Sequence, residues 1–96
     1  MKLSGKQIRH LRGLGHHLDP VIMLGKAGLS EGIVDKTSEA LDAHELIKVK
    51  VQDGCMLDRK EAADQLSKVT QAQLVQVLGR TFLLFRRSEE PKITLP

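Results

Sequence analysis

Between Pro20 and Gly32 the chain reads P-V-I-M-L-G-K-A-G-L-S-E-G, and no other stretch constrains the fold as much. Val21, Ile22, Met23 and Leu24 form an apolar run of strand length, bounded by Pro20 and Gly25. Gly25-Lys26-Ala27-Gly28 then turns the chain, and Ser30 with Glu31 has the chemistry of a helix cap and first turn. A strand, a G-x-x-G turn and a helix start bring backbone N–H groups, the positive end of a helix and one lysine together, which suits phosphate. Glycines let a ligand approach the backbone without a side chain in the way. The same four residues also serve as an ordinary tight turn, and the stretch alone leaves both readings open.

The flanking segments alternate in type. Ser4 caps a first helix running to about Gly15, with Gln7 placed for a capping box. Ile8, Leu11, Leu14 and Leu18 share one face of it, and Lys2, Lys6, Arg9, Arg12 and His16 share the other. No acid falls on that basic face, so contact with nucleic acid is expected there over simple solvation. A second helix runs from about Glu31 to His44, with Ile33, Val34, Thr37, Ala40, Leu41 and His44 inward and Glu31, Asp35, Glu39 and Asp42 outward. Its acidic side repels phosphate, so RNA would have to meet this helix end-on at its N-terminus. His44 is expected to pack at the helix end with its polar edge hydrogen-bonded.

Leu46 to Val51 alternates as a strand, with Ile47, Val49 and Val51 facing one way and Lys48 and Lys50 the other. Gln52-Asp53-Gly54 is a turn, and a third helix spans about Asp58 to Val69 with Ala62, Ala63, Leu66 and Val69 inward. Leu74–Leu78 and Phe82–Arg86 form a hairpin around Gly79-Arg80-Thr81. The segment from Ser88 to Pro96 is polar, carries two prolines and is expected to be loosely held. The expected architecture is α+β: a single compact αβαβαββ domain over residues 1–87 with a four-stranded mixed sheet, followed by a polar tail over 88–96.

Charge is segregated along the chain. Five basic residues face one acid up to Gly28, and five acids face Lys36 alone from Leu29 to Glu45. The rest is basic again, with Arg80, Arg86 and Arg87 prominent, which suggests a basic patch with an acidic flank. The chemistry of catalysis is missing from this pattern. His10, His16, His17 and His44 could suggest a metal, but His10 and His16 lie six apart on a helix and cannot meet one ion, and no cysteine pair or carboxylate cluster completes a site, so no metal or other cofactor is expected. Pro20 stands where a P-loop needs glycine, and no Ser or Thr follows Lys26. Cys55 has no histidine nearby in sequence, and Glu89-Glu90 lies in the tail. With Phe82 and Phe85 the only aromatic residues, base stacking is scarcely available, and recognition should lean on backbone and shape.

The lone Cys55 offers no disulfide, which suits a reducing cytoplasm. Met1-Lys2-Leu3-Ser4 has no signal-peptide core and no run reaches the ~20 apolar residues of a membrane span. A cytoplasmic monomer without a membrane partner is expected.

Several words carry a family resemblance: L-S-G-K-Q from Leu3, L-R-G-L-G-H-H-L-D-P-V ending at Val21, L-G-K-A-G-L from Leu24, and A-L-D-A-H-E-L-I-K-V-K-V ending at Val51. V-Q-V-L-G-R from Val75, L-L-F-R from Leu83 and K-I-T-L-P at the end continue it. The chain resembles the CRM domain (chloroplast RNA splicing and ribosome maturation) over essentially its whole length, most of all the free-standing bacterial YhbY type. It departs from the pattern at Gly15, where the family usually has alanine, and at Phe85, where it usually has tyrosine. The resemblance implies a fold similar to the C-terminal domain of bacterial translation initiation factor three, with a G-x-x-G loop similar to that of the KH module, which clamps nucleotide backbone. It further implies a noncatalytic role: binding ribosomal RNA in large-subunit precursor particles and assisting their maturation. The expected RNA contacts are Gly25, Lys26, Ala27, Gly28, Lys6, Arg9 and Arg12, together with Lys48, Lys50 and Arg80. The alternative is an adaptor whose acidic second helix docks a basic ribosomal protein.

Overall fold

The computed structural model describes residues 2–96. Its elements follow the expected order: α1 (Gly5–Gly15), β1 (Pro20–Leu24), α2 (Glu31–His44), β2 (Leu46–Val51), α3 (Arg59–Thr70), β3 (Gln73–Leu78) and β4 (Thr81–Phe85). Each helix starts where a short polar side chain can take an orphan N–H. Ser4 accepts from the Gln7 amide while the Gln7 side chain accepts from the Ser4 amide, completing the capping box. Ser30 accepts from Ile33 N–H and Asp58 from Lys60 N–H.

The strands form one mixed sheet in the order β1-β2-β4-β3. β1 and β2 are parallel, while β2–β4 and β3–β4 are antiparallel. Central β4 is covered on both faces. Phe82 and Leu84 join Ile22, Leu24, Ile47, Val49 and Val51 beneath α2 and α3. Leu83 and Phe85 point the other way and join Leu46, Val75, Leu3 and Leu11 beneath α1. Gly15 lets α1 sit close, since a Cβ there would collide with the Leu83 Cδ1 methyl. No helix among the described residues is long and apolar enough to cross a membrane.

Four expectations are corrected. His44 is exposed at the end of α2, because the chain turns at Glu45 and sends the glutamate inward in its place. Val69 is 57% exposed, and Thr70 takes the inward position at the end of α3, its hydroxyl bonded to Leu66 O. Leu14 is 39% exposed because α1 covers β2 and β3 and leaves β1 open. The segment from 88 to 96 is not loose. Ile93 and Leu95 pack on the α1 cluster, and the Gln7 side chain donates to Pro96 O at 3.2 Å.

Candidate functional site

Strand polarity decides what meets at one end of the sheet. Because β1 and β2 run parallel, the turns that follow them emerge side by side, and the antiparallel β3–β4 hairpin turns at the same end. The glycine turn closes through Gly28 N–H to Gly25 O at 3.0 Å. Gly28 sits at φ 60°, a conformation glycine adopts without strain. Lys26 and Ala27 are exposed at its crest, while Leu29 anchors its base against the α2–α3 core. Ser30 then caps α2 directly behind it.

The turn after β2 supports this loop. Gln52 N–H donates to Leu24 O at 2.8 Å, and its side-chain oxygen lies 3.5 Å from where a Cβ on Gly25 would be. The Lys26 stem lies over Gly54, with Cγ 3.6 Å from the position of a Cβ there. Gly54 has φ 91°, so a larger residue there would be strained. The hairpin joins through Val51 N–H to Arg80 O at 2.7 Å, and the Arg80 guanidinium pairs with Asp53.

Six of the expected positions therefore converge here: Gly25, Lys26, Ala27 and Gly28 of the turn, Arg80, and Lys50, whose register partners are Met23 and Thr81. Lys48 lies on the sheet face under α1, half-buried near Gly15, His16 and Leu83. Lys6 and Arg9 are exposed on α1. Arg12 is exposed too, but its Nε donates to Val75 O at 3.3 Å, which ties α1 to β3. Arg86 and Arg87, equally basic in sequence, belong to the scaffold. Arg86 donates to Thr70 O, Ser38 O and Asp42, and Arg87 to Ile93 O. Arg59 and Lys60, to which the sequence pattern assigns no role, stand exposed at the start of α3 beside the Gln52–Gly54 turn. Their only sequence signal was position just after the Asp58 cap.

His10, His16, His17 and His44 are all exposed, and no group of three or more His, Cys, Asp or Glu among the described residues could hold a metal ion. Phe82 and Phe85 are both 1% exposed, so the site has no aromatic surface.

Fold and site define a class: a small α+β domain that presents a glycine turn, flanked by lysine and arginine, at one end of a mixed sheet. The family model of the CRS1/YhbY (CRM) domain matches residues 3–86. The chain is 44% identical over 95 residues to the "Probable RNA-binding protein YqeI" of Bacillus subtilis (strain 168), covering 98% of this chain and 99% of that one. It is 46% identical over 94 residues to an "RNA-binding protein" of Haemophilus influenzae, covering 98% and 95%. The solution structure of the hypothetical protein SAV1595 from Staphylococcus aureus superposes with a TM-score of 0.83 at 43% identity, over 99% of this chain and 100% of that one. The chain belongs to the CRS1/YhbY (CRM) domain family.

Proposed function

We propose that this chain is a noncatalytic RNA-binding protein that associates with ribosomal RNA in large-subunit precursors and assists their maturation, as a cytoplasmic monomer. The observation that carries RNA binding is the exposed Gly25–Gly28 turn, braced from behind by the Gln52–Gly54 turn and topped by Lys26. Lys26 and the turn's backbone grip a phosphate, and the N-terminus of α2 behind them adds its positive end. With both phenylalanines buried, the protein holds RNA by backbone and shape, so binding is tolerant of sequence. The names of the B. subtilis and H. influenzae relatives support the RNA reading. The family resemblance supports the ribosomal one.

The test replaces Lys26 and Ala27 by aspartate and measures binding to labelled fragments of large-subunit ribosomal RNA by fluorescence anisotropy. Affinity falls at least about tenfold, which is ~1.4 kcal/mol, with the thermal midpoint retained. Parent-like binding would reduce the loop to a simple turn. In a sucrose gradient of cell extract, the parent sediments with large-subunit precursors; recovery only at the top of the gradient would remove the ribosomal assignment. The acidic face of α2 carries the second reading. Glu31, Asp35 and Glu39 are exposed and form no ion pair among the described residues, so a basic ribosomal protein could dock there. Such docking would survive the aspartate substitutions in the turn.

A further inference from the structure

We propose that the groove between the Gln52–Asp58 segment and the β3–β4 turn is a second RNA-backbone subsite, in which Arg59, Lys60 and Arg80 hold phosphates and Asp53 competes for Arg80. This inference rests on the RNA-binding reading of the glycine turn and extends that site across the sheet end. The groove is lined by Gln52, Asp53, Gly54, Arg59, Lys60 and Arg80, among others. It shares a wall with the glycine turn, because the Lys26 stem lies over Gly54 and Gly25 faces Gln52. A strand of RNA leaving Lys26 thus runs directly onto this surface.

Charge and shape select the ligand. Lys26, Arg59, Lys60 and Arg80 face two carboxylates, Asp53 and Asp58. Asp58 is committed to its helix, accepting Lys60 N–H at 2.6 Å. Asp53 pairs with Arg80, but their side chains are 86% and 62% exposed, and such pairs contribute little and exchange readily. The cations therefore outnumber the available acids. The groove is open and has no aromatic ring on which a base could stack, so it suits sugar-phosphate backbone. Arg80 is a bidentate donor held at the hairpin tip and becomes a phosphate ligand once it leaves Asp53.

The test uses the full chain and the same labelled ribosomal RNA fragments. Arg59→Gln with Lys60→Gln lowers the slope of log affinity against log salt by ~1.4 to 1.8 units, at about 0.7 to 0.9 per phosphate. A control pair, Lys36→Gln with Lys68→Gln, removes the same charge from exposed positions elsewhere on α2 and α3 and leaves the slope unchanged. Asp53→Asn frees Arg80 and raises affinity ~1.4- to 5-fold, the size of an exposed ion pair. An unchanged slope in the groove pair, or equal flattening in the control pair, overturns the subsite. Unchanged or weaker binding by Asp53→Asn overturns the competition. If the parent fails to bind RNA, the reading of the glycine turn falls; if it binds and only the groove variants match it, this inference alone falls.

Discussion

Glu45 holds a positive-φ backbone conformation that non-glycine residues rarely adopt. It ends α2 at φ 64° and ψ −44°, a conformation that strains an L-residue by about 1–3 kcal/mol. Everything around it holds that conformation. Its amide donates to Leu41 O at 2.8 Å, its carbonyl accepts from Arg86 N–H at 2.9 Å, and the carboxylate is fully buried. Burial pushes the Glu45 pKa upward. N–H bonds from Ser88, Lys92 and Ile93, at 2.8, 2.6 and 2.9 Å, with the Arg87 charge 3.5 Å away, outweigh that and hold it below its ordinary value. A pKa depressed in the folded state gives stability that is complete above the unfolded value, about 4.3, and is lost as pH falls through the folded value. Glu45→Gln should lower stability at neutral pH by about 1–3 kcal/mol, because a neutral amide replaces the carboxylate that accepts from three N–H groups. Urea denaturation from pH 7 to pH 3 should show the gap between parent and variant closing below about pH 4.3. A gap independent of pH would mean that the charge is not what the variant lacks.

At the scale of elements, the C-terminal segment is held by Glu45 and covers the α1 cluster with Ile93 and Leu95. Deleting residues 88–96 removes the three amides that hold the Glu45 carboxylate and bares apolar surface. The expected loss is about 3–5 kcal/mol, or roughly 10 °C or more in the thermal midpoint. Combining the deletion with Glu45→Gln should cost less than the two effects added, because they break the same contacts. Full additivity in thermal melts would show the two to be independent. Arg86 plays a similar part between α2, α3 and β4, bonding Ser38, Asp42 and Thr70 from one guanidinium. Arg86→Ala is expected to lower stability by about 2–3 kcal/mol, while folded protein keeps the parent's affinity for RNA. A weakened complex at full folding would instead place Arg86 in the RNA site.

At the scale of the whole molecule, the cations divide between scaffold and surface. Lys6 and Arg9 are exposed on α1, whereas Arg12 is tethered to β3. Lys6→Gln with Arg9→Gln should reduce the salt slope of RNA binding by ~1.4 to 1.8 units, equally across RNA sequences. Adding Arg12→Gln should bring a smaller further decrease, with some loss of stability from the broken tether to Val75. An undiminished slope in the double variant would confine RNA to the glycine-turn end and leave α1 merely solvated.

What the sequence determined by itself was local. Ser4, Gln7, Ser30 and Asp58 mark the helix starts because a cap bonds to an amide only two or three residues away. Apolar periodicity marks the strands and the inner helical stripes, and the Gly25–Gly28 turn is visible from its glycines alone. The edges of those stripes were not legible: His44, Val69 and Leu14 fit an inward wheel position, yet exposure depends on which layer lies overhead. Nor could charge alone separate Arg86, spent on three backbone and side-chain partners, from Arg59 and Lys60, which stay exposed. Glu45 finds its donors 43 to 48 residues away, and the turns at Gly25, Gln52 and Arg80 meet only because β1 and β2 run parallel beside the closing hairpin. Tertiary structure decided these points, because pairings across long separations follow from strand order and shared burial, and neither is written in any short stretch of chain.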